Sequence, residues 1–369
     1  MKRKLLICIP SLRFGGAAKI ALNISEYFLD NNLDVTILLT RDSGKDLGFE
    51  ALPAGLRVVA VPKRKGNALF QFLFSVRWLV RFFKENKPTS ILAVRHDATM
   101  LSGLAWRLAG RPGAFFIREI NPIDKTLNRK KAFVLLLRSA YASAQGIIAN
   151  SQDVAVALKN KGWLDAARIH TIDNPVITKS FFDKASAQVE DGILPKDNVP
   201  VIISIGRLNK MKDFGSLIRA FKIVKEQMDC RLLIIGDGSE RESLQNLIDT
   251  LGLEEMVTLT GAMENPYPYL KASSLFVLTS KYEGFGNVLV EALALGKKIV
   301  STRCVGGPAY ILNYGEHGAL VNVGAIEEIA GAILQSFESP ADFEKLHHRG
   351  LDFSVSKIGK AYSEVLFKN

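Results

Sequence analysis

Apolar residues along this chain come in short runs separated by longer amphipathic stretches. Lys4–Pro10 and Val35–Thr40 read as strands on either side of a helix at Ala18–Leu29, and Ser90–Val94, Ala114–Ile117 and Gly146–Ala149 repeat the strand signal. The second half follows the same rhythm. Strands are expected at Val199–Ile205, Arg231–Ile235, Val257–Thr260, Leu275–Leu278 and Lys298–Ser301, with helices between them. Strand–helix alternation of this kind implies parallel sheets covered on both faces. Two doubly wound parallel sheets, an α/β architecture, fit a chain of 369 residues. Asn174–Pro200 holds Pro175, Pro195 and Pro200 with polar residues between, and is the natural linker. Ligands of doubly wound sheets sit beyond the carboxyl ends of the strands. Two such domains face to face would place a site in the cleft between them.

Composition narrows the class. Apolar residues make up 48% and charged residues 23%, as in a globular protein with sizeable cores. The opening MKRKLLICIPSL starts like a signal peptide, but its apolar run is short and reads better as a buried first strand. No long uncharged apolar stretch announces a membrane span. Cys8, Cys230 and Cys304 lie far apart in strand-like contexts, as expected of reduced thiols in a cytosolic protein. The charge is uneven: residues 1–175 hold 27 Lys+Arg and 13 Asp+Glu, a balance of +14, while residues 176–369 hold 21 and 24, a balance of −3, which together give the net +11. A basic half suggests an anionic partner. Nucleic acid is not expected, because no helix-turn-helix, zinc-finger or RNP-type signature is present. An anionic membrane surface suits better.

The most telling stretch is EGFGNVLVE, Glu283 to Glu291. A strand-like run precedes it and an apolar helical run follows, with Gly284 and Gly286 in the turn. Glycines there let backbone N–H groups approach a ligand, and a helix N-terminus favours an anion. If Glu283 began the helix, Glu291 would lie about two turns on, roughly 12 Å of rise. The two carboxylates would then face opposite ends of an extended ligand, and a sugar nucleotide has that shape. Gly206, Arg207 and Leu208 end the first strand of the second half, with Lys212 following. Arg offers a planar fork for phosphate and Lys a point charge, so the pair is able to neutralise a leaving diphosphate without a metal; the other reading is two surface cations. Gly15-Gly16-Ala17 after the first strand, Gly236-Asp237-Gly238 and Gly306-Gly307-Pro308 are further strand-end loops. Each reads equally as a ligand loop or a tight turn.

Some motifs are missing. No Asp-x-Asp occurs, which argues against a metal-bridged diphosphate, and no P-loop is present. None of the five histidines, His96, His170, His317, His347 and His348, has zinc-ligand spacing with cysteines. The run Leu69–Lys84 is aromatic, with Arg77, Arg81 and Lys84 on one stripe and Lys63-Arg64-Lys65 before it. It reads as a helix lying on an anionic membrane surface, or else as a core helix with a solvated stripe. Arg129-Lys130-Lys131 before Phe133–Leu137 forms a second basic–apolar patch.

These motifs together resemble glycosyltransferase family 4, retaining enzymes of the GT-B fold. The likeness is close over about residues 200–325, through GRLNKMKD, LLIIGDGSERESL, TLTGAMENPYPYL, FVLTSKYEGFGNVLVEALALGKKIVSTRCVGGPAYIL and HGALV, and looser in the first half through Gly15-Gly16-Ala17. The nearest flavour is that of bacterial enzymes building lipopolysaccharide core, capsule or lipid-linked oligosaccharide. The resemblance implies an acceptor-binding domain at 1–175, a donor-binding domain at 176–354, and a C-terminal helix at about 355–369 packing back on the first. It implies that Arg207 and Lys212 bind the donor diphosphate and that Glu291 holds the ribose hydroxyls. Glu283 would lie near the donor sugar, with Gly284, Phe285, Gly286 and Asn287 forming the loop around sugar and phosphate. Gly15, Gly16, Gly206 and Gly236 complete the donor set, and Glu283, Arg207 and Lys212 are the expected catalytic groups. No metal or cofactor is implied. The donor is expected to be UDP-linked and the acceptor a glycan or lipid-linked glycan, with the protein cytoplasmic and peripheral on the inner face of the plasma membrane. One departure stands out. Many members carry a histidine after the strand that here reads FFIREINP, where this chain has Arg118 and Glu119, and these become candidates for sugar or acceptor contact. His96, one strand earlier, is not expected to substitute. A GT-B-type epimerase or phosphorylase, or a non-catalytic sugar-nucleotide or membrane-binding protein, would share the architecture.

Overall fold

The computed structural model describes residues 2–12, 15–41, 52–120, 131–190, 192–195 and 199–368. The chain divides into two compact units, Met1–Pro175 with Val355–Asn369, and Val176–Ser354.

The first unit is built on a parallel sheet of seven strands: β1 (Lys4–Ile9), β2 (Asp34–Leu39), β3 (Arg57–Ala60), β4 (Ser90–Val94), β5 (Ala114–Glu119), β6 (Gly146–Ala149) and β7 (Ile169–Thr171), in the order β3-β2-β1-β4-β5-β6-β7. Apart from the exposed Lys4, strands β1, β4 and β6 are buried along their length, as parallel strands covered on both faces must be. Helices Ala68–Asn86, His96–Leu108, Lys131–Ser143 and Gln152–Lys159 contribute to one apolar cluster with the sheet. The helices Gly16–Asp30 and Val355–Leu366 pack on each other. At that contact Gly359 is required for close approach, since a Cβ would overlap the ring of Tyr27. Phe28 and Phe367 meet edge to face with centroids 5.5 Å apart, and Ser90 Oγ donates to the Leu366 carbonyl.

The second unit carries a parallel sheet of six strands: β8 (Val201–Ile205), β9 (Arg231–Ile235), β10 (Val257–Gly261), β11 (Leu275–Leu278), β12 (Lys298–Thr302) and β13 (Ala319–Val321), in the order β10-β9-β8-β11-β12-β13. The alternation read from the sequence is thus present in both halves. The strands it does not reveal are β3, β7 and β13. All three lie at a sheet edge and are only three or four residues long. An edge strand needs no continuous apolar run, so its signal is weak.

Two expectations sharpen. The boundary between the units falls after Pro175, inside the segment Asn174–Pro200 read as the linker. Beyond Pro175 it is tied into the second unit, where Val176 N donates to the Phe353 carbonyl at 2.8 Å and Phe181 packs edge to face on Tyr267. The aromatic run Leu69–Lys84 also divides. In the helix Ala68–Asn86, Val76, Leu79, Phe82 and Phe83 are buried in the core, and Arg77, Arg81 and Lys84 form the solvated stripe, with Arg81 paired to Glu85. Only its first turns, with Leu69, Phe70 and Leu73, present apolar side chains outward, beside the exposed Lys63, Arg64 and Lys65. Arg129 and Lys130 of the second patch lie outside the described residues. Among the described residues no helix is long and apolar enough to cross a membrane.

Candidate active site

The carboxyl edge of the second sheet gathers most of the candidate residues. Strands β8, β9 and β10 end in a staircase of backbone bonds: Gly206 N donates to the Ile235 carbonyl and Gly236 N to the Gly261 carbonyl. Gly236, at φ +151°, has the Gly206 carbonyl oxygen where a Cβ would stand, so the packing of neighbouring strand ends already requires this glycine. Past Gly206 the chain exposes Arg207 and buries Leu208. It then turns on Asn209, whose Oδ1 accepts from Met211 N at 3.0 Å and Lys212 N at 3.2 Å. That turn sends the Lys212 stem back across Gly206, where a Cβ would come within 3.3 Å of Lys212 Cε. Thr279, just past β11, anchors the turn by donating to the carbonyls of Lys212 and Asp213, each at 3.1 Å.

Lys212 Nζ lies 2.5 Å from Glu283 Oε1, and Ser280 Oγ donates to the same oxygen at 2.6 Å. Both side chains of the ion pair are mostly buried. The Glu283 backbone is seated on the loop after β12, its N–H donating to the Val305 carbonyl. Gly306, at φ +119°, and Gly307 pack so tightly under this turn that a Cβ on them would overlap the carbonyls of Glu283 and Phe285. These glycines therefore serve the support of the carboxylate loop. Phe285 points inward and is buried against Phe353, and Gly286 adopts φ +101° as it opens the helix Asn287–Ala294. The loop amides and the first turn of that helix supply donors and a positive dipole end. Nearby Cys304 is held protonated, its thiol pushed up to about 11 by burial and then by the Glu283 charge.

Glu291 lies on the same helix, almost fully buried, with Tyr267 Oη 3.5 Å from its carboxylate. Since the helix starts at Asn287 and not at Glu283, Glu291 is only about 6 Å of rise into it. The two-turn rise required Glu283 to be helical, and it does not apply because Glu283 belongs to the preceding loop.

In the first unit Gly15 and Gly16 open the helix Gly16–Asp30 just beyond β1. Arg118 and Glu119 end β5, but neither is presented to a ligand. Arg118, buried, donates from Nε to Tyr362 Oη at 2.8 Å and from Nη2 to Asn174 Oδ1 at 2.5 Å, which ties the C-terminal helix to the end of the domain. Glu119, also buried, accepts from Tyr141 Oη and lies 2.9 Å from His96 Nε2. Direct sugar contact by Arg118 or Glu119 is thus corrected: the sheet end consumes both side chains internally. Sequence reasoning also missed Ser280, Tyr267 and Asn209. Only the fold tells that these residues meet the candidate groups, although Asn209 three residues before Lys212 is a turn signal.

With this geometry in hand, the likeness to known proteins is consistent along the chain. Residues 14–180 match the model of glycosyltransferase family 4, and residues 188–350 that of glycosyl transferases group 1. The chain belongs to this two-part family of glycosyltransferases. It is 32% identical over 230 residues to the lipopolysaccharide core biosynthesis glycosyltransferase LpsD of Rhizobium meliloti, matching 61% of this chain and 64% of the length of that relative. It is 28% identical over 335 residues to the N-acetylgalactosamine-N,N'-diacetylbacillosaminyl-diphospho-undecaprenol 4-alpha-N-acetylgalactosaminyltransferase of Campylobacter jejuni, with 87% and 86% covered. Among solved structures, an Anabaena protein in complex with UDP superposes with a TM-score of 0.80 at 22% identity over 99% of both chains. The lipopolysaccharide outer core galactosyltransferase WaaB gives 0.75 at 20% identity, again over 99% of both. These likenesses identify the fold as GT-B.

Proposed function

We propose that this protein transfers a hexosyl or N-acetylhexosaminyl group from a UDP-sugar to a lipid-linked or surface-polysaccharide acceptor, with retention of configuration and without a metal ion. The observation that carries the reading is the Lys212–Glu283 pair at the carboxyl edge of the second sheet, with Arg207 on the same strand-end loop as Lys212 and Glu283 on the loop that leads into the helix Asn287–Ala294. In this reading Lys212 and Arg207 stabilise the charge that develops on the departing diphosphate, as fixed dipoles and cations do best in a site prepared beforehand. Glu291 holds the ribose hydroxyls, and Glu283 stands by the donor sugar. The acceptor hydroxyl attacks the face the diphosphate leaves, and a diphosphate oxygen takes its proton. UDP in the Anabaena neighbour and the diphospho-undecaprenol acceptor in the name of the Campylobacter relative support the choice of substrates. The named relatives are transferases, which does not favour an epimerase.

The test is thermal shift of the protein with UDP, GDP and ADP, repeated on Lys212→Ala. A ligand that binds only the native state raises the melting temperature. A shift with UDP alone, lost in the variant, supports the donor site. No shift with any nucleotide removes its basis. The same reading includes peripheral binding to anionic membranes through Lys63–Lys65 and the exposed Leu69, Phe70 and Leu73. Vesicles containing phosphatidylglycerol should sediment the protein, and Leu69→Ser/Phe70→Ser should not sediment. Equal sedimentation of both would remove the membrane contact.

A further inference from the structure

β4 ends at Val94 and the next helix begins at His96, so Arg95 alone makes the strand-to-helix turn. It does so at φ +73° and ψ +146°, a backbone shape that glycine adopts freely and a residue with a side chain adopts at a cost. Arg95 is also the N-cap of that helix. Ser, Thr, Asp or Asn is usual there, because the side-chain oxygen accepts from a free N–H. Arg95 makes no such cap bond and brings a cation to the positive end of the helix. Its side chain is exposed, and its guanidinium has no hydrogen bond or ion pair among the described residues. Backbone, cap and charge all disfavour an arginine here, and no contact within the first unit offsets them. Local rules broken without a compensating contact mark functional positions.

The surroundings say what such a residue would meet. Arg95 stands at the carboxyl edge of the first sheet, where doubly wound sheets take their ligands. On the same edge Arg41, just past β2, places Nη1 3.1 Å from Asp97 Oδ2. Because β1 lies between β2 and β4, that ion pair spans the end of β1. Asp97 therefore faces Arg41 and not Arg95, although only two residues separate it from Arg95 in the chain. Thr40 Oγ1, next to Arg41 in sequence, is buried and has no hydrogen-bond partner among the described residues. Buried polar atoms without partners are rare, and a hydroxyl is able to donate to an anionic oxygen. Residues 1–175 as a whole carry a balance of +14. An exposed guanidinium fork on a basic edge matches the paired oxygens of a phosphate.

We propose that Arg95 is a specificity-determining residue of the first unit, whose guanidinium takes a phosphate group of the acceptor. The one-residue turn holds the fork at the strand end, and the strained backbone is the consequence of placing an arginine where glycine fits. The proposal rests on the transferase reading above and names the acceptor group that is recognised. That phosphate is either the one joining glycan to lipid or one carried by the glycan itself, and both present the same oxygens to Arg95.

The experiment is calorimetric titration of the full chain, first with UDP and then, with UDP saturating, with farnesyl diphosphate and with glucose 6-phosphate. At least one of the two phosphate probes should bind. Binding of farnesyl diphosphate alone assigns the phosphate to the lipid link, and binding of glucose 6-phosphate alone assigns it to the glycan. Arg95→Gln should weaken that binding about tenfold or more and leave UDP affinity unchanged. Arg95→Lys, which keeps the charge and loses the fork, should fall between the two. The companion measurement is urea denaturation of Arg95→Gly. Glycine takes this backbone without strain and removes the cation from the helix end, so the midpoint should rise while phosphate binding is lost. Equal phosphate affinity in Arg95→Gln overturns the proposal. So does a lower midpoint in Arg95→Gly, which would make the arginine a structural residue. A loss of UDP affinity in Arg95→Gln overturns it as well, because the residue would then serve the donor. Neither probe binding to a protein that binds UDP also overturns it. Failure to bind UDP overturns the transferase reading with it.

Discussion

Lys212 Nζ and Glu283 Oε1 stand 2.5 Å apart, with Ser280 Oγ on the same carboxylate oxygen. The two groups proposed to meet diphosphate and sugar are therefore each other's partners. Lys212→Ala should lower kcat by about 100-fold or more, the scale of losing one preorganised electrostatic stabiliser. It also strands a mostly buried carboxylate, so some loss of melting temperature is expected. Lys212→Ala with Glu283→Gln should recover that stability without recovering turnover. Steady-state kinetics together with thermal melts check the pair. Near-wild-type turnover in Lys212→Ala would remove the lysine from the mechanism.

Gly306 bears on the same carboxylate from below. Since a Cβ there would overlap the Glu283 carbonyl and the residue sits at φ +119°, Gly306→Ala combines overlap with backbone strain. Strain of this kind costs roughly 1–3 kcal/mol per residue. The expected outcome is a lower denaturation midpoint together with reduced turnover, because the loop must move and Glu283 with it. Gly324→Ala is the comparison: also at positive φ, but with open space around its Cβ position. It should lose less stability and no activity.

Glu291 is assigned to the ribose, and charge-assisted hydrogen bonds of that kind are worth about 1.5–3 kcal/mol each. Glu291→Gln should weaken UDP binding by about tenfold or more. A 2′,3′-dideoxy analogue of UDP should bind the variant and the parent protein alike. Calorimetric titration of both nucleotides decides it, and an equal loss for the two would deny Glu291 its ribose contact.

Arg118 is a structural cation. Its removal leaves Tyr362 Oη and Asn174 Oδ1 without their donor in a buried place, at about 1–3 kcal/mol for each group. Arg118→Met should therefore lower the urea midpoint markedly and expose the Val355–Leu366 helix to limited proteolysis, with UDP affinity in the folded fraction retained. Tyr362→Phe, which loses one bond, should be milder.

The alkaline limb of stability follows from the same buried groups. Tyr141 is raised well above 10, by burial first and the Glu119 charge second, and Tyr362 is raised by burial. A raised tyrosine binds its proton in the native state at a pH where the unfolded chain has lost it. Its contribution is therefore complete below about pH 10 and is lost as pH rises above that value. Denaturation midpoints should fall above pH 10, and Tyr141→Phe should blunt the fall. A flat profile in that range would contradict the burial of both phenols.

Much of this protein was legible in its sequence, and the reason is local. Runs such as Leu5–Ile9 and Leu232–Ile235 are buried on both faces, so their apolar character survives in one dimension, and strand–helix alternation follows from them. Glycine loops such as Gly284–Gly286 are set by neighbouring residues and could be read the same way. The short edges β3, β7 and β13 were not legible, because half-exposed strands carry no such run. Nor was the fate of Arg118 and Glu119. Their positions in the chain suggested ligand contact, but Tyr362 lies 244 residues from Arg118, and Tyr141 22 residues from Glu119, so only tertiary packing shows that both side chains are spent on partners inside the fold. The same packing joined Lys212 to Glu283 across 71 residues and turned His96 toward Glu119 from the helix that follows the neighbouring strand. Residue types and spacing named the chemistry at hand. Which groups meet depends on strand order and on the loops after each strand, and these are properties of the folded sheet.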